Sequence, residues 1–516
     1  MKKIILTLLI LSISFTLYSQ DNIKEVTILH WNDLHARNLP YKISKKDSAT
    51  GKSIYYYVGG TSSILGYLNK FRNKSSLVLN AGDDFQGTPI STLTRGRSQI
   101  ELLNLFGLDA FVLGNHEFDY GQYALDSALQ LAKFDYLSAN IFYEPKHSTF
   151  GKSYVIKNIN GVMIGIIGIT EPDLPKGTLP KNINEVIMLN TDSIITVNIG
   201  ELKKAQCNLI ILLTHEGVEA DKLVAEKFHK DIDVIVGGHS HTPLFRPFID
   251  SGVVIVQAGC WGRWLGELNL KVDIIKDTIS GYYGKLIETI FDSTIYDRQA
   301  EQKVEGMIAS IGKDMLKVIG ELKSDWKASY SKESNLGQFE ADMFRERTGT
   351  DIAFINGGGL RKSLANGDIT VSDIWEINPF GNDIETFSVS GSMLEQMLIN
   401  HIRLKMIEQE QQGAGEILDV SGMTYTFNSK KIEEDSLNTE ISITFSGQPL
   451  DRNKMYSIAT NSFVTSQFVN FFGEFPAKPE FKTTGLIDRD IIIDAVKMLK
   501  TIDSPLEKRI IDLSGN

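Results

Sequence analysis

Residues 111–121 read FVLGNHEFDYG. Phe111-Val112-Leu113 has the composition of a buried strand, and Gly114 permits a turn directly after it. The chain then sets Asn115, His116, Glu117 and Asp119 within five residues. In open α/β sheets ligands bind outside the carboxyl ends of the strands. An amide, an imidazole and two carboxylates at such an end therefore point to a site. The bland alternative is a polar turn whose side chains cap a helix. Working outward, the arrangement recurs. The apolar runs EVTILHW, SSLVLNAG, VMIGIIGIT, LIILLTH, VIVGGHSH and GVVIVQAG each end in glycine or in residues capable of chemistry. LLNLFGL and ALDSALQLAKF read as helices between them. The pattern predicts an α/β fold, layered, with its site at the strand ends.

Five polar clusters follow these runs: Asp33-Leu34-His35, Gly82-Asp83, Gly114-Asn115-His116, Thr214-His215 and Gly238-His239-Ser240-His241. Each alone is weak, because a histidine at a strand end is usually a hydrogen-bonded structural residue. Together they hold five of the 9 histidines of the chain. A solvated surface would not gather them there, so the pattern predicts a shared metal site. Imidazoles, carboxylates and one amide oxygen suit Zn, Mn, Fe or Co. Two ions need a bridging anion, and Asp83 is the natural bridge. Two ions roughly 3.5–4 Å apart clamp the attacking and leaving oxygens of an in-line displacement.

The blocks LHWNDLHAR, NAGDDFQGTP, LGNHEFDYG, LLTHEG and GGHSHT resemble those of the calcineurin-like metallophosphatases. The FQGTP and NHEFDYG extensions narrow the resemblance to the two-domain 5'-nucleotidase family, which includes bacterial UDP-sugar hydrolases. The resemblance implies a layered β-sandwich metallophosphatase domain flanked by helices, followed by a second α/β substrate-binding domain. It implies one ion on Asp33, His35, Asp83 and His241, and another on Asp83, Asn115, His215 and His239. His116 resembles the family's catalytic histidine and Asp119 its partner. On a helix, three-residue spacing would bring these two to one face. Related cyclic-nucleotide phosphodiesterases often carry Asn at that position, so Asp119 favours a 5'-nucleotidase. Glu117 reads as a surface or helix-start residue.

Residues 297–325, YDRQAEQKVEGMIASIGKDMLKVIGELKS, are charged and roughly helix-periodic, and read as a helical linker. They divide a domain at 25–290 from one at 330–510. In the second, FINGGGLRKSL places three glycines where a ligand can approach the backbone, with Arg361 as a forked donor. INPFGND offers Phe380 in a loop, and exposed loop aromatics stack on bases. The resemblance continues through NGGGLR and NPFGN. It implies that Asn356, Gly358 and Arg361 meet the sugar–phosphate, that Phe380 and Phe463 sandwich the base, and that Lys332 stands near a family arginine. One departure stands out. Many relatives follow ATNSF with a GGDG turn whose Asp contacts ribose hydroxyls, whereas here the chain reads VTSQFVNFFGEFPAKPEF.

Composition limits the alternatives. With 516 residues, 42% hydrophobic and 23% charged, the chain supports packed cores. A net charge of −11 argues against a nucleic-acid partner. Lys2, Lys3, the apolar run Ile4–Leu17 and Ser19 form a signal peptide, 1–19, cleaved to give a periplasmic or secreted protein with no later apolar span. Cys207 and Cys260 lie in strand-like contexts and read as buried small residues rather than a disulfide. The expected activity is that of an exported dinuclear-metal 5'-nucleotidase. The rivals are a 2',3'-cyclic phosphodiesterase/3'-nucleotidase, a UDP-sugar pyrophosphatase and, from another class, a non-catalytic nucleotide-binding surface protein.

Overall fold

A computed structural model describes residues 22–46, 51–434 and 440–515; the signal peptide read from 1–19 lies outside them. The chain forms two compact units that meet in sequence at Ser310–Ile311. The first is a sandwich of two six-stranded sheets. One sheet runs in the order Thr278–Glu288, Trp264–Asp273, Ile23–Trp31, Ser76–Asn80, Ala110–Val112, Tyr136–Leu137. The other runs Phe248–Asp250, Val253–Val256, Val234–Val236, Leu209–His215, Val162–Thr170, Tyr154–Ile159.

The strands are apolar on both faces because both faces are covered. Val26, Ile28, Leu77, Leu79, Val112 and Leu268 meet Ile164, Ile166, Ile211, Leu213, Val236 and Val256 between the sheets. The alternate residues of the first sheet, Leu29, Trp31, Val78 and Phe111, pack against Ile64, Leu68, Ile100 and Leu125 of the covering helices. On the second sheet, Ile167, Ile210, Leu212 and Ile255 meet Ile195, Ile199, Leu202 and Phe228. Period-two alternation thus separates two cores within one apolar strand. Strands 23–31, 76–80 and 110–112 are mutually parallel, as are 162–170, 209–215 and 234–236. Every polar cluster ends or follows one of these strands, which gathers them at carboxyl ends.

The segment 297–325 is not one helical linker. Helix Arg298–Ser310 buries Ala300 and Val304 in the first unit. Gly312, at φ 91, ends the helical run. Val318–Leu322 is a strand that pairs with Gly367–Thr370 and Thr501–Ile502. The β-branched pair Val318-Ile319 carries the strand signal that the charged residues obscured. The two cysteines are free thiols and only half-buried. No helix of the described residues is long and apolar enough to cross a membrane.

The second unit is built on a five-stranded sheet in the order Leu418–Ser421, Ile352–Asn356, Met455–Asn461, Asp383–Ser390, Lys482–Ile487. Ala353, Ile355 and Ile384 pack on one face with Leu336, Phe344, Ile492 and Val496. Ile352, Phe354 and Phe387 pack on the other with Leu394, Leu398, Phe468 and Phe472.

Gly168 of the second sheet lies so near Leu137 of the first that an added Cβ would collide with it. Gly168→Ala should therefore destabilise by about 1–3 kcal/mol through overpacking. Gly200, inside helix Thr191–Lys204, has open space around the same position. Gly200→Ala should stabilise by about 0.5–1 kcal/mol. Urea unfolding midpoints check both, and a neutral Gly168→Ala would contradict the close approach of the sheets.

Candidate metal centre

The loops after the strands are tied together before any side chain takes part. Asp33 N–H donates to Gly82 O at 2.8 Å, and His35 N–H to Asp83 O at 2.9 Å. Gly82 adopts φ 88, and a Cβ there would press on His215 Nδ1. Asp33, His35, Asp83, His239 and His241 also lie in the left-handed region, at φ 52, 51, 61, 75 and 55. Non-glycine residues rarely adopt it, and each such conformation costs on the order of 1–3 kcal/mol. Five of the seven ligands anticipated from the sequence carry this cost, which fits loops shaped for a site.

Glu117 holds the strained loops in place. It is fully buried. Its carboxylate accepts the N–H groups of Asp83 at 2.9 Å, Asp84 at 2.7 Å, Phe85 at 3.2 Å and Gly114 at 2.7 Å. Burial, then the charge of Asp83, pushes its pKa to about 7. The surface role read from the sequence is therefore wrong: loop N–H groups turned away from water need an acceptor, and Glu117 supplies it.

The seven anticipated ligands come together. Asp33, His35 and His241 form one group, Asp83, His215 and His239 another, and His35, Asp83 and His116 a third. Ligand atoms within each group lie within 4.8 Å of one another. Asn115 Oδ1 joins through His239 Nδ1 at 3.1 Å. Asp33 Oδ2 accepts from Asn32 Nδ2 at 2.6 Å and from His239 N–H at 3.0 Å. Its Oδ1 is buried without a hydrogen bond, although His241 Nε2 is 3.3 Å away, His35 Nε2 3.8 Å and His215 Nε2 3.9 Å. His35 Nε2 and His241 Nε2 face each other at 3.0 Å. A carbonyl only accepts, so the 2.6 Å contact of His215 Nδ1 with Ala81 O makes Nδ1 the donor. That leaves Nε2 aimed at Asp83 Oδ2, 2.9 Å away.

The electrostatics agree. Burial opposes protonation of His215, yet Asp83 and Asp33 raise it to about 10. Burial likewise opposes His241, which Asp33 and Cys260 raise to about 10. Burial would raise Asp83, but His215 and His116 hold it well below the usual carboxylate range. Imidazole nitrogens and carboxylate oxygens converging in this way call for a cation, so the residues present fit divalent metal. The sequence missed Glu171, whose Oε1 lies 3.4 Å from His239 Nε2.

His116 Nδ1 lies 2.7 Å from Asp119 Oδ2. The turn carrying them, His116–Phe118, is a 3-10 helix, which also brings residues three apart to one side. His116 N–H donates to Asp83 Oδ1 at 2.9 Å, and its ring stands 5.2 Å from that of His35.

In the second unit, Asn356, Gly358 and Arg361 converge around an unanticipated carboxylate, Glu416. Its Oε1 accepts Asn356 Nδ2 at 2.9 Å and Gly358 N–H at 2.7 Å. Burial pushes its pKa to about 7. Asn356 Oδ1 accepts Asn461 Nδ2 at 2.9 Å, so both ends of the Asn356 amide are engaged inside the unit. Arg361 Nη1 donates to Gly358 O at 3.4 Å. Phe380 is half-buried in a loop whose Pro379 O accepts Arg489 Nη1 at 3.2 Å. Phe463 packs against Phe471 with ring centres 6.1 Å apart. Lys332 is exposed, and its N–H donates to Ser329 Oγ at 3.1 Å. The departure segment forms two short helices, Ser462–Ser466 and Phe468–Phe472, and Glu474 and Glu480 beyond them are exposed.

Known proteins share these features. Residues 26–243 match the calcineurin-like phosphoesterase family, and residues 317–474 the 5'-nucleotidase C-terminal domain. A 5'-nucleotidase of Diplobatis ommata is 28% identical, covering 94% of this chain and 90% of its own. The crystal structure of a 5'-nucleotidase precursor from Thermus thermophilus superposes with a TM-score of 0.83 at 28% identity, covering 95% of this chain and 100% of that one. The sulfate thiohydrolase SoxB of Thermus thermophilus superposes at 0.79 with 16% identity, covering 95% of this chain and 97% of that one. That likeness is one of fold alone.

Glu117→Ala leaves four buried N–H groups without their acceptor. We expect a loss of about 3–5 kcal/mol in urea unfolding and a parallel loss of metal uptake. Stability within about 0.5 kcal/mol of wild type would mean that Glu117 does not hold the loops.

Proposed function

The chain belongs to the family that joins a calcineurin-like phosphoesterase domain to a 5'-nucleotidase C-terminal domain, and from that premise we propose that it releases phosphate from nucleoside 5'-phosphates. It is a metal-dependent phosphoester hydrolase. The observation that carries the finer reading is the His116–Asp119 pair, 2.7 Å apart beside the three ligand groups. A purely nucleotide-binding protein has no use for it.

In this reading Asp33, His35, Asp83 and His241 hold one divalent ion, and Asp83, Asn115, His215 and His239 a second. The ions, as Zn, Mn, Co or Fe, supply Lewis acidity to the phosphoryl oxygens and to the attacking water. Asp119 holds the Nδ1–H of His116 and favours the imidazolium. His116 then presents Nε2–H to the phosphoryl group, offsets its developing charge and gives a proton to the leaving 5'-oxygen. Arg361, Asn356 and Gly358 are assigned to the sugar–phosphate, and Phe380 and Phe463 to the two faces of the base. Lys332, exposed and near a family arginine position, is assigned to the substrate side. Export through the leader at 1–19 belongs to the same proposal.

Asp119 favours a 5'-nucleotidase over the cyclic phosphodiesterase/3'-nucleotidase, and UDP-sugar hydrolysis is the remaining rival. A panel of AMP, ADP, UDP-glucose and cyclic AMP isomers decides among them. The proposal expects AMP to give the highest kcat/KM, and a cyclic nucleotide or UDP-glucose ahead of it would overturn the assignment.

Strong chelation should abolish turnover, and Mn, Co or Zn should restore it; full activity in demetallated protein would end the proposal. Asp83→Asn should lose far more than Asp33→Asn, because it touches both ions.

His116→Ala should lower kcat by about 10²–10⁴-fold with metal content and unfolding midpoint preserved. A parallel fall in bound metal would make His116 a ligand instead.

Ribose recognition follows from the departure segment, where a helical path replaces the family turn and its carboxylate. Hydrogen bonds to charged groups contribute about 1.5–3 kcal/mol. Without that acceptor, AMP and its deoxy forms should differ by less than about tenfold in kcat/KM. A preference of about a hundredfold for AMP would show that another group reads the sugar.

A further inference from the structure

The glycine run of the second unit is explained by its own neighbours. A Cβ on Gly357 would meet Ser329 O at 2.6 Å, one on Gly358 would meet Glu416 Oε1 at 2.5 Å, and one on Gly359 would meet Asn356 Oδ1 at 3.1 Å. The run therefore lets the backbone close around the Glu416 carboxylate and the Asn356 amide. Asn356 ends strand Ile352–Asn356 and Asn461 ends Met455–Asn461, and the two strands pair in parallel. Both asparagines are buried. A backbone N–H fixes which way each amide points. Val464 N–H donates to the Asn461 side chain at 3.0 Å, so the atom it meets is Oδ1. Asn461 Nδ2 is then the atom that donates to Asn356, and Asn356 Oδ1 receives it at 2.9 Å. That turns Asn356 Nδ2 to Glu416 Oε1 at 2.9 Å, which also accepts Gly358 N–H at 2.7 Å. The hydrogen bonds thus run in one direction, from helix Ser462–Ser466, which carries Phe463, through Asn461 and Asn356 to Glu416. Glu416 is anchored in turn: its N–H donates to Glu408 Oε2 at 2.8 Å, and the Tyr330 hydroxyl donates to Glu408 Oε1.

We propose that Glu416 is a positioning residue for nucleotide binding: through Asn356 and Asn461 it locks the glycine run to the helix carrying Phe463, so that the sugar–phosphate and base contacts are set together. The inference rests on the nucleotide reading above. Turning the Asn356 amide over would set oxygen against oxygen at Glu416 and N–H against N–H at Asn461, so the chain of bonds has one stable sense. It also narrows what Asn356 offers a ligand. Its Oδ1 is committed to Asn461 and one Nδ2–H to Glu416, which leaves a single N–H. Asn356 therefore meets an acceptor oxygen of the substrate, not the hydrogen of a hydroxyl.

The test is kcat and KM for AMP and for p-nitrophenyl phosphate, which has neither base nor sugar. The variants are Asn461→Asp, Glu416→Ala, Glu416→Gln, Phe463→Ala and the double Asn461→Asp/Phe463→Ala. Asn461→Asp keeps the volume and the acceptor for Val464 N–H but sets a second acceptor against Asn356 Oδ1. Glu416→Gln keeps an acceptor for Asn356 and Gly358, and Glu416→Ala keeps none. We expect Asn461→Asp and Glu416→Ala to raise KM for AMP by about 10- to 100-fold. Their kcat for AMP should hold, since uniform binding is what they lose, and p-nitrophenyl phosphate should be little affected. Glu416→Gln should stay close to wild type. Removing the Phe463 ring should cost less in Asn461→Asp than in wild type, because the ring is already displaced. Wild-type KM for AMP in Asn461→Asp would overturn the proposal, and that variant carries the test if Glu416→Ala does not fold. Equal losses on both substrates, or independent effects of Asn461→Asp and Phe463→Ala, would also overturn it. If the wild type cleaves p-nitrophenyl phosphate but not AMP, the nucleotide reading itself fails, and this proposal falls with it.

Discussion

The Asp83 carboxylate is buried beside the imidazoles of His35, His116, His215 and His239, and its charge has to be met inside the protein. Removing an isolated carboxylate from water is prohibitively costly unless opposite charge and hydrogen bonds compensate. Here His215 and His116 hold the Asp83 carboxyl well below the usual carboxylate range, and the neighbouring aspartates in turn raise His215 and His241. Much of the first unit serves this requirement. The Ala81 carbonyl orients His215, the His116 N–H bonds Asp83 Oδ1, and Glu117 gathers the loop N–H groups behind it. Five side chains of the centre accept left-handed backbone so that their donor atoms converge.

The sandwich makes such convergence possible. Parallel strands in each sheet deliver their following loops to one rim, and the apolar layer between the sheets fixes the distance between loops that are far apart in sequence. Asp33 and His239 are 206 residues apart, yet share a 3.0 Å hydrogen bond. A change in core volume at Gly168 therefore acts on the centre through the spacing of the sheets rather than through any contact with it.

The strand ends and the histidine clusters were legible because strand alternation and residue type are local signals. So was the pairing of His116 with Asp119, since three-residue spacing works on a 3-10 turn as on an α-helix. Glu117 was not legible: its partners are backbone N–H groups, which have no sequence signature, and from the sequence it looked like a helix-start acid. Glu416 was missed for a related reason, because it meets Asn356, a residue brought near only by folding. The 297–325 segment misled because charge on the solvent face of Val318–Leu322 resembles the polar face of a helix, and the break at Gly312 is a single residue. The second unit was the least legible. A glycine run and a loop phenylalanine fit many turns, and the carboxylate that organises them lies 60 residues from Asn356.

The central claim is that seven side chains at the ends of five strands would hold two divalent ions across Asp83. Anomalous X-ray scattering from crystals grown with Mn or Zn tests it most directly. The account predicts two peaks roughly 3.5–4 Å apart, with Asp83 between them, one beside His35 and His241 and the other beside Asn115, His215 and His239. A single peak, or peaks that leave Asp83 without a metal contact, would contradict it.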